Sequence, residues 1–341
     1  MAEQFNHKYS LEFGQPISFY GANADTNFKS VPFSVDYTKD QSKVSTYSDK
    51  STGDNGVRLT SHNMSFSIKK GKDASTDNSI TIYNISDSVR KFLEQNNGKK
   101  PLIILRAGYE SDLTQPLLPV VKDTELPIIF NGEVIQVVDT FDGTTRKTEL
   151  TCTTGTTAIQ EAYSVRSYRA GTKPSEIIND VLKDMKLPVG TYYLPKNMDI
   201  GIEKPVAFSN PSIEFLRRYG KDNGYKVWFE DGAVNILSTT ERSPVTAVGF
   251  KISSGTNMIG SPSVKTADVA TTEKKEGNRQ NITVTTTLNG AYSIGAKVEL
   301  DSKYHKGVYE IESISHNGTF EGSDWNSQLE LKPVDGWEKQ F

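Results

Sequence analysis

The run Ser79-Ile80-Thr81-Ile82-Tyr83-Asn84-Ile85-Ser86 places Ile80, Ile82 and Asn84 on one face of an extended chain and Thr81, Tyr83 and Ile85 on the other. Both faces carry β-branched or aromatic side chains, which predicts a strand with little exposed surface. The period then changes. Ser86-Asp87-Ser88 offers helix N-caps, Val89, Phe92 and Leu93 follow at helical spacing, and Asn96-Asn97-Gly98 stops the helix. Pro101 precedes a second apolar strand, Leu102–Ala107. This strand, short helix and strand form the centre of a first domain.

Working outward, Met64, Phe66 and Ile68 alternate with Ser65, Ser67 and Lys69 as a half-buried strand. Ile128–Phe130, Asn131-Gly132 and Glu133–Val138 read as a hairpin, because Asn-Gly between apolar runs favours a tight turn. Asp142-Gly143 repeats the signal before Thr148–Thr153. Five to seven short strands with one small helix predict a closed or nearly closed barrel that hides its edges. Upstream, Phe13, Ile17, Phe19 and Tyr20 suit one strand and Val31–Tyr37 another, while Lys39–Gly56 reads as a polar mobile loop or arm. Gly108–Glu125 reads as a polar loop around Leu117–Val121.

Beyond the first domain the pattern turns helical. Thr172 and Pro174 start a helix with Ile177, Ile178, Val181, Leu182 and Met185 on one face. Asn210-Pro211 starts another, with Ile213, Leu216 and Tyr219 inward. Tyr225–Glu230, Asp231-Gly232 and Ala233–Leu237 read as a hairpin. After Ser243-Pro244 the chain is β again. Thr271–Gln280 is a polar linker, Asn281–Leu288 alternates, and Asn317-Gly318 reads as a turn before Trp325 and Leu329–Leu331. The expected division is an arm with first strands at 1–60, a β-barrel at 61–155, a small α/β domain at 156–243 and a second β-barrel at 244–341. The fold class is mainly β (α+β).

Composition narrows the function. The 341 residues suffice for two or three domains, and the net charge is -3. Residues 1–150 hold 17 Lys and Arg against 19 Asp and Glu, so no basic domain exists to grip phosphates. The single cysteine, Cys152, excludes an internal disulfide framework and reads as a buried, inert thiol. No apolar run reaches the ~18 residues of a membrane span, and Met1–Ser10 lacks a signal-peptide core, which predicts a soluble protein made in a cytoplasm.

Catalytic signatures are missing from the sequence. His7, His62, His305 and His316 share no metal spacing with one another or with Cys152. Gly-x-Ser-x-Gly, P-loop and Gly-x-Gly-x-x-Gly motifs do not occur. Glu310 and Glu312 at strand spacing read as a solvated face, although a glycosidase pair from separate loops leaves no sequence mark. Arg217-Arg218 reads as an exposed helix face, with anion binding as the alternative. Four Asn-x-Ser/Thr triplets, at Asn63, Asn84, Asn281 and Asn317, carry no glycan meaning without a secretory signal. No catalytic, cofactor-binding or metal-binding residues are therefore expected, and no enzymatic activity.

The ordered series of these segments carries a resemblance. Met64-Ser-Phe-Ser-Ile-Lys-Lys, the Ser79–Ser86 run, Leu102-Ile-Ile-Leu-Arg-Ala-Gly-Tyr and Ile129-Phe-Asn-Gly-Glu-Val come first. Gly171-Thr-Lys-Pro, Phe215-Leu-Arg-Arg-Tyr-Gly and Gly224-Tyr-Lys-Val-Trp-Phe-Glu-Asp-Gly follow. Met258-Ile-Gly-Ser-Pro-Ser-Val, Gly295-Ala-Lys-Val-Glu-Leu, Gly307-Val-Tyr-Glu-Ile and His316-Asn-Gly close the series. From about Met64 to Pro333 the chain resembles the baseplate hub proteins of phage tails, of the late-control-D type in contractile tails. The resemblance implies two tail-tube-like β-barrels flanking the α/β domain. It implies a homotrimer whose six barrels form a ring, adapting a six-fold tail tube to a three-fold spike. Partners would be tail tube or tube-adaptor proteins, the spike, the tape-measure protein and other baseplate proteins. DNA would pass without specific binding through a channel lined by acidic and neutral polar residues. The location would be the virion, after assembly in the host cytoplasm. The opening arm before Val57 departs from the pattern.

Two rival readings remain at this stage. A carbohydrate- or receptor-binding β-protein would present an aromatic platform built from Tyr192, Tyr193 and Trp228, which otherwise read as core. A wall-degrading tail enzyme would need an extra catalytic domain, and no segment is long enough to be one.

Overall fold

The computed structural model describes residues 7–14, 45–48, 55–71, 78–95, 98–109, 126–239, 248–264 and 281–334. The architecture is mainly β. The first β-unit contains β1 (His7–Gly14), β2 (Ser45–Ser48), β3 (Asn55–Leu59), β4 (Met64–Gly71), β5 (Asn78–Tyr83), α1 (Asp87–Gln95), β6 (Leu102–Tyr109), β7 (Ile128–Asp142) and β8 (Thr145–Thr153). Its strands lie in the order β4-β5-β8-β7-β6-β1-β3-β2, and every neighbouring pair is antiparallel. Inward residues such as Met64, Phe66, Ile68, Ile80, Ile82, Ile103, Leu105 and Leu150 build one core, as two-residue alternation requires.

The α/β module contains α2 (Thr156–Glu161), β9 (Tyr163–Tyr168), α3 (Pro174–Met185), β10 (Val189–Tyr193), a 3-10 turn at Lys196–Asp199, β11 (Val206–Pro211), α4 (Ser212–Asn223), β12 (Tyr225–Glu230) and β13 (Ala233–Ser238). Pro174 opens α3 where a missing N–H costs nothing. Gly224, at φ 77°, closes α4 in a left-handed cap. The apolar faces of both helices pack on Val227, Val234 and Ile236 of the β12–β13 hairpin. The second β-unit contains β14 (Val248–Ser253), β15 (Met258–Val264), β16 (Ile282–Thr287), β17 (Lys297–Asp301), β18 (Lys306–Thr319) and β19 (Trp325–Pro333).

The two β-units repeat each other. The first runs β4-β5-β8-β7-β6-β1 and the second β15-β16-β19-β18-β17-β14. Their registers coincide. Val134 and Ile311 each precede a one-residue bulge in the long strand. Counting from that bulge, Glu133 faces Leu102 as Glu310 faces Lys297, and Phe130 faces Leu105 as Gly307 faces Leu300. Thr151 lies between Gln136 and Ser79 as Glu330 lies between Ser313 and Thr283. Isolated hydrogen bonds repeat as well. The Val134 amide donates to Pro101 O at 2.9 Å and the Ile311 amide to Ala296 O at 2.9 Å. The Tyr83 amide donates to Asn63 O at 3.0 Å and the Thr287 amide to Asn257 O at 2.9 Å. The likeness ends at the last strand, where β1 runs antiparallel to β6 but β14 runs parallel to β17.

Several expectations need correction. Beyond the expected division, β18 pairs with β4, so one 14-stranded sheet runs through both β-units. The pairing satisfies an edge of each unit within the chain. Asn131-Gly132 and Asn317-Gly318 are not turns but lie inside the long strands β7 and β18. There glycine answers close approach. A Cβ on Gly132 would lie 2.4 Å from Thr153 O, and one on Gly318 2.3 Å from the Phe66 ring. Asp142-Gly143 and Asp231-Gly232 are true turns, with Gly143 at φ 63° and Gly232 at φ 76°. Within the expected polar arm, Ser45–Ser48 and Asn55–Leu59 are strands, and Phe13 belongs to β1, which is buried from Tyr9 to Gly14. Ile17, Phe19, Tyr20, Val31–Tyr37, Leu117–Val121, Ser243-Pro244 and Thr271–Gln280 lie outside the described residues.

Candidate functional site

The joined sheet turns one uninterrupted face away from its cores. Six of its strands contribute a band of short polar side chains. From β8 come Lys147, Glu149 and Thr151, from β5 Ser79 and Thr81, and from β4 Ser65, Ser67 and Lys69. From β18 come Ser313, Ser315, Asn317 and Thr319, from β19 Asn326, Gln328 and Glu330, and from β16 Thr283, Thr285 and Thr287. The alternation that buries Ile80, Ile68, Ile314, Leu329 and Val284 dictates this placement. The charges among these residues are Lys69, Lys147, Glu149 and Glu330, two of each sign, and next along β19 the exposed Lys332 lies opposite Glu310. Lys147 pairs with Glu149. Ser67 donates to Asn317 Oδ1 at 3.0 Å across the β4–β18 junction, and Ser313 donates to Glu330 at 3.0 Å. The surface is therefore wettable and close to neutral, and it offers no row of cations to a polyanion.

Beneath the junction lies a buried polar knot. Lys70, inward on β4, places its ammonium 2.7 Å from the Asp231 carboxylate in the β12–β13 turn. Asn131 of β7 donates to Asp231 O at 3.2 Å, and Trp228 donates to Glu230 at 3.2 Å. Burial raises the Glu230 carboxyl above its ordinary range, against a lowering pull from Lys70. His316, inward on β18 and fully buried, contacts Ser327 Oγ at 2.9 Å through Nδ1. Burial holds its pKa well below the ordinary 6.5, and the Lys70 charge adds to that. The equivalent position in the first unit is Asp139, which accepts a hydrogen bond from Thr148 at 2.5 Å. All three parts of the chain meet in this knot, so the module is fixed to the seam between the β-units.

A second tie closes the first unit. Trp325 donates its indole N–H to Gly108 O at 3.0 Å, and Tyr109 donates to Trp325 O at 3.0 Å. His7 stacks on Trp325 with ring centroids 4.6 Å apart. The β18–β19 hairpin, from the second unit, thus fills the core of the first.

The structure separates the residues that an aromatic platform would need. Trp228 is 2% exposed and packs in the core of the second unit, whereas Tyr192 lies at the surface. Arg217 and Arg218 lie exposed on α4. Cys152 is buried in the first core, and burial pushes its thiol pKa up. Glu310 sits opposite Lys297, and Glu312 occupies the β18 bulge. Among the described residues no three of His, Cys, Asp and Glu gather to hold a metal. No helix among them is long and apolar enough to cross a membrane. The polar band was present in the sequence as alternating Ser and Thr, but its continuity depends on β4–β18 pairing between segments far apart in the chain.

No family model matches the sequence, and none of the curated proteins matches it. Solved structures do. The 43 kDa tail protein of prophage MuSo2 from Shewanella oneidensis aligns at a TM-score of 0.54 and 11% identity, over 81% of this chain and 94% of that one. A tail protein from Neisseria meningitidis MC58 aligns at 0.54 and 9% identity, over 84% and 95%. The chain has the fold of phage tail proteins. A chain of the Francisella PdpA–VgrG complex also shares this tail-protein fold, at 0.54 and 9% identity, over 96% of this chain and 53% of that one.

Proposed function

We propose that this chain is a structural, non-enzymatic hub of a phage tail baseplate. Three copies would form a ring that joins a six-fold tail tube to a three-fold spike and lets DNA pass. The observation that carries the reading is the matched register of the two β-units, through which three chains present six nearly equal faces. The fold shared with two tail proteins along nearly their whole lengths supports a place in the virion tail. The likeness to a chain of the PdpA–VgrG complex supports a hub that holds other proteins. Assembly in the host cytoplasm, contacts with tube, adaptor, spike and tape-measure proteins, and genome ejection through the axis belong to the same proposal.

Geometry sets the scale of the channel. Eight strands per chain, from β15 through β7, carry the outward face. Three chains at about 4.8 Å per strand give a circumference of roughly 115 Å for strands along the axis, and more as they tilt, so the backbone diameter is at least about 37 Å. Side chains leave roughly 25 Å open, enough for duplex DNA. With the polar band lining that space, DNA meets hydroxyls and amides rather than cations, and slides. The test is mass in solution followed by negative-stain imaging. Three chains around an open axis is the expected result. A monomer with affinity for sugars would overturn the reading.

A further inference from the structure

We propose that β7 of one copy pairs with β15 of the next, antiparallel, in the register that β18 and β4 adopt within the chain. This deepens the trimer reading and rests on it. In β7, β6 covers only Ile128–Glu133, so among the described residues Gln136–Asp142 pair with β8 alone. Among the described residues β15 pairs with β16 alone. These two open edges are the structural equivalents of the two edges that meet in the internal junction. Counted from the bulges, residues 136–142 match 313–319 of β18. Counted from the shared pairings with β5 and β16, Met258 and Ile259 match Met64 and Ser65. Past an irregularity in β15, Ser263 matches Ser67.

The internal pairs then predict the external ones. Asn317 faces Ser67, so Thr140 faces Ser263 of the next copy; His316 faces Ile68, so Asp139 faces Val264. Apolar exposure marks both edges: on β7 Phe141 is 72% exposed and Val138 37%, and on β15 Ile259 is 47% and Val264 40%. Ile68, the equivalent of Val264, is fully buried where its junction is made. Side-chain volume supplies an independent argument. Inside the chain, Gly318 makes room for Phe66. At the open edges the sizes are exchanged: Phe141 stands in the place of Gly318, and the Gly260-Ser261-Pro262 irregularity stands in the place of Phe66, with nothing within 4 Å of a Cβ on Gly260. A large residue thus meets a small one at both junctions, in opposite senses. Pro262, which lacks an N–H, is compatible with an edge strand.

Cross-linking tests the register. Thr140→Cys with Ser263→Cys brings two thiols face to face between copies, within disulfide reach. Gln136→Cys with Ser263→Cys offsets them by four residues, about 13 Å, beyond that reach. Native Cys152 is buried and does not compete. Oxidation of the first variant should give covalent dimers and trimers, at least about ten-fold above the second. Phe141→Asp, at an exposed tip, should keep the monomer's melting temperature and lose the ring. A trimeric ring that cross-links equally in both variants, or in neither, overturns the register and leaves the hub reading intact. A chain that stays monomeric at every concentration reached overturns both. A ring that survives Phe141→Asp unchanged overturns the role of this edge.

Discussion

Gly318→Ala tests the seam between the β-units directly. A Cβ there would lie 2.3 and 2.4 Å from two Phe66 ring carbons and 2.8 Å from the Trp325 indole. Ordinary contact begins near 3.4 Å, so the Phe66 ring must retreat by about 1 Å. It has little room, since Phe66 is 4% exposed, Trp325 is 3% exposed, and the two rings pack edge-on at 5.3 Å. Overpacking of this kind costs about 1–3 kcal/mol. Loss of glycine's unfolded-state freedom returns about 0.5–1 kcal/mol, leaving a net loss of about 1–2 kcal/mol. At this chain size that lowers the melting temperature by roughly 1–3 °C. Gly255→Ala is the control, because nothing lies within 4 Å of its Cβ, and it should be neutral or slightly stabilising. Phe66→Leu combined with Gly318→Ala should lose less than the sum of the single variants by about 1 kcal/mol. The assay is the denaturant midpoint and melting temperature of wild type and the four variants. A Gly318→Ala midpoint equal to wild type, or strict additivity in the double variant, would refute the claim that glycine is required by the approach of Phe66.

Three further outcomes are expected. Asp231→Asn keeps the turn but strips Lys70 of its carboxylate; since Asp231 is about a third exposed, the cost should be about 1–3 kcal/mol by denaturation, and adding Lys70→Met should recover much of it. His316 is held neutral by burial, so its stabilising contribution is complete above the unfolded pKa of about 6.5 and is lost as pH falls below it, by up to about 1.4 kcal/mol per unit. The raised carboxyls of Glu230 and Glu133 act in the opposite sense above about pH 4.5, so the clean readout is a difference: from pH 6.5 to 5.5, wild type should lose about 1 kcal/mol relative to His316→Gln. Wild-type protein should fail to retain duplex DNA at physiological salt, whereas Thr285→Lys, Asn317→Lys and Gln328→Lys together should bind it with a steep salt dependence in a mobility-shift assay.

The sequence announced those parts of the fold whose cause is local. Pro174, Pro211 and Gly224 mark the helix ends by backbone chemistry, and α3 and α4 lie where they indicate. Asp-Gly turns were legible because a tight hairpin turn needs positive φ, at Gly143 in one and at both Asp231 and Gly232 in the other. Asn-Gly misled at 131–132 and 317–318 because the glycines there answer contacts with Thr153 and Phe66, which lie far off in sequence. The ribbon of β9 and β11 escaped notice because α3 and β10 separate its halves. The internal repeat was hidden for a deeper reason. Register is enforced by main-chain hydrogen bonds, which any residue supplies, so equivalent positions need share only an inward or outward sense. Met64 and Met258, Thr81 and Thr285, and Leu150 and Leu329 coincide in type, while Asp139 and His316 fill the same inward position with different chemistry.

A duplicated subunit that closes a ring through its edges faces a sorting problem. Two edges of one kind, on β7 and β18, can each meet two edges of the other kind, on β4 and β15. Only the alternation of internal and external junctions gives a closed ring of complete chains. In the proposed ring, side-chain volume does the sorting. Were β7 to meet β4, Phe141 would fall on Phe66, an overlap of two rings that costs more than the single methyl of Gly318→Ala. Were β18 to meet β15, Gly318 would face the Gly260 irregularity, and the void of a missing aromatic costs about 3–5 kcal/mol. Each wrong junction is therefore penalised by several kcal/mol, from opposite causes, although the backbone hydrogen bonds would be the same in all four pairings. The exchange of a large and a small residue between the internal seam and the proposed external one is what would let one register serve twice without ambiguity.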